Sequence, residues 1–181
     1  MARIPLFEEA AHPGLAEVTA RIRSGRRGAL LNVYKLLLHS PALAETWFDH
    51  VGAVRFETAL SGRLREIIII RIAHLNAIPY VLAQHVPALA IAEGVTVAEC
   101  EALADWRAGS LFDARERAAL ALADAMTLST HVPDDVFAAV RTHFDDREIV
   151  ELTVLAGTYI MHNRVMNALG IDLEAPDNRG R

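Results

Sequence analysis

The run Ile67 to Ile70, continued by Ile72 and Ala73 and preceded by Arg65-Glu66, limits this chain more than any other stretch. β-Branched residues suit strands, yet the patterned segment from Arg63 to Leu75 is too long for one buried strand. It reads instead as a helix that is apolar on every side, and such a helix has to lie inside the fold. A second helix follows from Pro79 to Gly94, because Pro is at ease in a first turn and Gly just past a last one. Together they predict a helical hairpin over residues 63–94. Glu66, Arg71, His74, Tyr80, Gln84 and His85 interrupt its apolar sequence, so a site is expected here.

The remaining signals are helical too. Helices are predicted over 15–23, 29–38, 41–56, 97–107, 114–128 and 146–169, with another between Pro133 and His143. Three starts carry a capping box, in which an N-cap side chain and a carboxylate three residues on satisfy free backbone donors: Thr96 with Glu99, Asp113 with Glu116, Asp145 with Glu148. Trp47, Phe48, Val51 and Val54 recur at helical spacing and give one apolar stripe. No strand pair survives, and the fold class is all-α. The expected organisation is an N-terminal arm over 1–14, a single helical domain over 15–170 and a disordered tail over 171–181, where Pro176, Asp177, Asn178 and Gly180 cluster.

Several function classes are excluded. The lone Cys100 permits neither an internal disulfide nor C-x-x-C chemistry, and suits a reducing cytoplasm. No apolar run approaches the roughly 20 residues of a membrane span, and the first residues lack the apolar core of a secretory signal. A soluble cytoplasmic protein is expected. A net charge of -5 argues against nucleic-acid affinity, and the cluster Arg21, Arg23, Arg26, Arg27 reads as a solvated face. No metal is predicted, since none of the eight histidines pairs with other ligands at recognisable spacing. There is no Gly-x-Ser-x-Gly elbow and no Gly-rich phosphate loop.

Within the second hairpin helix, His85 lies three and four residues after Leu82 and Val81, on or beside the apolar face. A histidine there can be a hydrogen-bonded core residue or a proton carrier. Pro87 lacks an N–H and clashes with the carbonyl of Ala83, so the helix should loosen beside His85. Glu66 sits on the other arm, farther from the turn than His85, so the two meet only if the helices cross obliquely or a water intervenes. Arg71 could neutralise Glu66 or hold a substrate carboxylate, or serve a surface or intersubunit ion pair. Tyr80 and Gln84, one turn apart, could orient a ligand.

Arg65-Glu66, Asn76 through Tyr80 with His85, and Glu93-Gly94-Val95-Thr96 resemble the carboxymuconolactone decarboxylase family, which includes the alkyl hydroperoxidase D-type proteins. The segments 112–117 and 124–127 add to the likeness, as do Glu151-Leu152, Tyr159, Asn163 and Arg164; it spans residues 40 to 170. It implies the family's all-α fold and assembly as a dimer, trimer or hexamer. The peroxidase branch carries Glu, then C-x-x-C, then His, and Glu66 and His85 match that pattern while the cysteine positions hold Ile78 and Val81. Dithiol peroxide reduction needs one thiolate to attack and a second thiol to resolve, so peroxiredoxin activity of that type is disfavoured.

What remains resembles the decarboxylase branch, which needs no cofactor. The resemblance implies a lyase or isomerase acting on a small organic acid or lactone. His85 would be the acid/base, Glu66 its orienter, Tyr80 and Gln84 ligand contacts, and Arg71 or Arg164 the carboxylate anchor. A non-catalytic binding or assembly protein on the same fold is the alternative.

Overall fold

The computed structural model describes residues 1–26 and 28–175. They contain no strand, and the helices are α1 (Ala16–Ser24), α2 (Asn32–Leu37), α3 (Pro41–Phe56), α4 (Gly62–Leu75), α5 (Pro79–Gln84), α6 (Val97–Ala102), α7 (Ala114–Leu128), α8 (Asp134–His143) and α9 (Asp146–Leu169). Two compact units result: Met1–Gly52 with the chain from Val165 onward, and Ala53–Arg164.

In the first unit, Ile22, Leu30, Val33, Tyr34, Leu36 and Leu38 are buried. α2 begins later than its sequence suggests, at Asn32, whose N–H donates to Glu174 Oε1 over 2.7 Å while Leu31 stays extended. A Cβ at Gly25 would lie 2.5 Å from the ring of Phe48, so a larger residue there would displace that ring. The basic cluster is engaged rather than merely solvated: Arg21 pairs with Asp49, Arg23 with Glu9, and Arg26 donates to the Tyr34 hydroxyl over 2.7 Å. Arg27 lies outside the described residues. The arm and the start of the tail are also tied, through Arg3 N–H to Leu169 O (2.8 Å) and Ala2 N–H to Asp172 Oδ2 (2.8 Å). The rest of the tail, 176–181, lies outside the described residues.

The second unit is built around α4. Every residue from Leu64 to Ala73 is buried, as the uninterrupted isoleucine run requires, and α4 packs against α5, α7 and the stretches 85–90 and 103–108. All three capping boxes form, with the N3 amides donating to Thr96 Oγ1 (3.2 Å), Asp113 Oδ1 (2.8 Å) and Asp145 Oδ1 (2.8 Å). Two of the box carboxylates share a further partner. Arg63, in the first turn of α4, donates to Glu99 Oε1 (2.5 Å) and to Glu116 Oε1 (2.7 Å), tying the starts of α6 and α7 to α4.

Two helices depart from their expected regularity. The segment expected as one helix over 97–107 leaves the α-conformation after Ala102 and continues as a 3₁₀ stretch, Leu103–Ala108, broken at Asp105 (φ -143°, ψ 66°). The carbonyls of Leu103 and Ala104 accept from Arg71 Nη1 at 2.9 and 2.8 Å. They point at a buried guanidinium instead of continuing the ladder. The segment from Pro79 to Gly94 is α-helical to Gln84 and a π-helical turn over His85–Ala90. Pro87 sits inside that turn and cannot donate to Ala83, so the chain widens there. Gly94 then ends it at φ +78°, a left-handed conformation that needs no Cβ.

Candidate functional site

Glu66 is fully buried in the first half of α4, and His85 opens the π turn with 8% of its side chain exposed. Their side chains meet: His85 Nδ1 is 2.6 Å from Glu66 Oε2. The wide turn and the close packing of α4 on this segment bring together groups that lie at unequal distances from the hairpin turn.

Two arginines flank the other carboxylate oxygen. Arg55 Nη2 is 3.5 Å and Arg65 Nε 3.6 Å from Glu66 Oε1. Arg65 is fixed by donating to the Arg55 carbonyl (2.7 Å) and to Glu93 Oε1 (2.8 Å). Gly62 makes room for that Glu93 carboxylate, since a Cβ at Gly62 would fall 1.7 Å from Glu93 Oε2. Phe56, largely exposed, lies under both guanidinium groups, 4.9 Å from Arg55 and 5.8 Å from Arg65. On the far side the ring of Tyr159 meets the imidazole edge-to-face at 5.7 Å.

Burial opposes ionisation of Glu66, but the hydrogen bond from His85 and the nearby Arg55 and Arg65 outweigh it and hold the carboxyl below the usual carboxylate range. Burial pushes the His85 imidazole below its ordinary value, with Arg55 and Arg65 acting the same way and Glu66 against them. Glu66 is therefore the ionised member and His85 the neutral one. An ionised carboxylate only accepts, so Nδ1 carries the proton and donates it to Glu66, leaving the lone pair on Nε2. An imidazole fixed in that tautomer can take a proton at Nε2 and return it.

The other expected residues fall in different places. Tyr80 is buried on α5 and Gln84 half-buried one turn on, immediately before His85. Arg71 is engaged away from the pair. Besides the two carbonyls, it donates through Nε to Asp124 Oδ1 at 2.6 Å, and Asp124 also accepts from Trp106 Nε1 (3.1 Å) and pairs with Arg107. Arg164 donates to the carbonyl of Thr127 (3.1 Å) and lines a cavity whose walls include neither Glu66 nor His85. Arg55 was not visible as a site residue in the sequence. The one usable signal was Arg65, a cation opening a helix that is apolar all round and so bound to find acceptors.

The positions that carry thiols in the peroxidase branch hold Ile78 and Val81, both buried. Cys100 is enclosed, and burial, with Glu99 and Glu66 adding to it, pushes its thiol up, away from thiolate character. Among the described residues no His, Cys, Asp or Glu cluster could hold a metal ion, and no helix is long and apolar enough to cross a membrane.

Residues 41–125, which hold both members of the pair, match the model of the carboxymuconolactone decarboxylase family. That segment belongs to the family. Among its relatives, the uncharacterized protein YdfG of Bacillus subtilis (strain 168) is 28% identical over 116 residues, covering 63% of this chain and 78% of YdfG. The solved alkylhydroperoxidase AhpD core of an uncharacterized peroxidase-related protein from Ralstonia eutropha JMP134 superposes with a TM-score of 0.81 at 25% identity, covering 96% of this chain and 92% of that one. A putative antioxidant defence protein AhpD from Agrobacterium tumefaciens gives 0.72 at 26% identity, over 81% of this chain and 99% of that one. The family match thus covers residues 41–125, and the chain as a whole has the AhpD-like fold.

Proposed function

We propose that this chain is a cofactor-independent acid/base enzyme, a lyase or isomerase acting on a small organic acid or lactone, with His85 as the proton carrier. The observation that supports it is the 2.6 Å contact between His85 and a Glu66 kept ionised by two arginines. A neutral imidazole with its lone pair on Nε2 begins as a base. It removes a proton from carbon next to the substrate carbonyl, the electron pair moves into a dienolate, and the resulting imidazolium returns the proton at another carbon. Decarboxylation uses the same group in the opposite sense: the C–C bond to the carboxylate breaks, CO₂ leaves, and an already protonated His85 delivers its proton to the dienolate carbon. Glu66 stabilises the imidazolium in both cases, and Tyr80 and Gln84 contact the ligand. The protein acts in the cytoplasm as a homo-oligomer.

The near-complete enclosure of the pair favours a second reading, a non-catalytic binding or assembly protein in which His85 is a hydrogen-bonded core residue. One experiment separates the two. Unsaturated lactone acids are incubated with the protein in D₂O while deuterium uptake at carbon and CO₂ release are followed. Enzyme function predicts uptake or release that His85→Gln removes while the oligomer persists. No exchange with any substrate, or exchange unchanged in His85→Gln, leaves the binding role. Peroxide consumption is expected to be absent in the wild type.

A further inference from the structure

The cavity beside Arg164 lies between the end of α7, the start of α8 and α9, and has a volume of about 570 Å³. That is within the range of sites for small ligands. Leu122, Met126, Val132 and Phe137 give it apolar walls, and Thr130 and Thr153 add hydroxyls. Its charged wall residue is Arg164. The guanidinium gives one hydrogen bond to the Thr127 carbonyl and, among the described residues, meets no carboxylate. A planar cation with donors to spare at the edge of an apolar hollow complements one class of molecule, a hydrocarbon or ring bearing a single carboxylate.

We propose that this cavity is a binding site for an apolar monocarboxylate, its tail between Leu122 and Phe137 and its carboxylate on Arg164. Neither Glu66 nor His85 lines this cavity. It does not depend on any reaction at His85, because its test reads binding alone. The charge complementarity names the occupant: a second copy of the chain covering the hollow would use the exposed Leu128 and Phe137 and would gain nothing from a free carboxylate.

The test is calorimetric titration of the full chain with octanoate and, in parallel, with octan-1-ol. Wild type is expected to bind octanoate at least about tenfold more tightly than the alcohol, the scale of a charge-assisted contact. Arg164→Gln should erase that preference, Arg164→Lys should keep part of it, and Phe137→Ala should weaken both ligands while leaving the preference intact. Equal binding of acid and alcohol, or an Arg164→Gln variant that binds octanoate like wild type, overturns the proposal. So does an inert wild type whose oligomer falls apart on Phe137→Arg, because the cavity is then covered by another copy.

Discussion

His85 Nδ1 lies 2.6 Å from Oε2 of Glu66, a residue 19 positions earlier on a different helix, and that carboxylate has two guanidinium groups at its other oxygen. The pair is one part of a four-residue charge cluster. Changing either end alters what the rest must tolerate.

Glu66→Gln leaves Arg55 buried without its anion, while Arg65 keeps the Glu93 carboxylate, and breaking a buried ion pair from one side costs about 3–5 kcal/mol. His85→Gln removes a single hydrogen bond and should cost about 1–3 kcal/mol. Urea unfolding of both variants checks the order; equal losses would mean that Arg55 is satisfied elsewhere.

His85 should titrate below its ordinary value of 6.5 in the folded chain. Because the unfolded chain then binds the proton more readily, this residue detracts from stability as pH falls below 6.5 and has no effect well above it. Imidazole NMR reads the titration directly. Arg65→Met removes a cation and should move the midpoint upward; an unmoved or lowered midpoint would show that the guanidinium is not felt.

Arg63 holds the Glu99 carboxyl at about 2, down from 4.5. The ion pair therefore adds stability above 4.5, and the contribution fades as pH drops from there towards about 2. Arg63→Met should cost about 1 kcal/mol at neutral pH, as partly exposed networks do, and the deficit should shrink in acid. Urea midpoints at neutral pH and near pH 3 measure it.

Asp124 accepts from buried Arg71 and from Trp106. Asp124→Ala strands that guanidinium, so a loss of about 3–5 kcal/mol is expected, with a change in Trp106 fluorescence. Arg71→Met with Asp124→Leu together should recover much of it, as replacement of both charges by apolar groups often does.

The capping boxes were legible because their chemistry spans four residues: α7 and α9 begin where Asp113 and Asp145 place them. α4 was legible from its isoleucines. Glu66 and His85 could be named as partners but not brought into contact, since that depends on the width of the turn around Pro87. The partner of Arg71 was not legible, because Asp124 lies 53 residues away and nothing local points to it. Arg55 was missed for the same reason: its role exists only once the end of α3 lies beside α4.

The turn from His85 to Ala90 holds one residue more than a regular helix would use for the same rise. Excising a residue between 86 and 90 would straighten the helix and swing whatever follows by about 100°. Val95, now 1% exposed, would turn out of the core, and the Thr96 cap would start α6 in the wrong direction. Length variation at this point is therefore closed to the chain, even though several of its side chains face solvent.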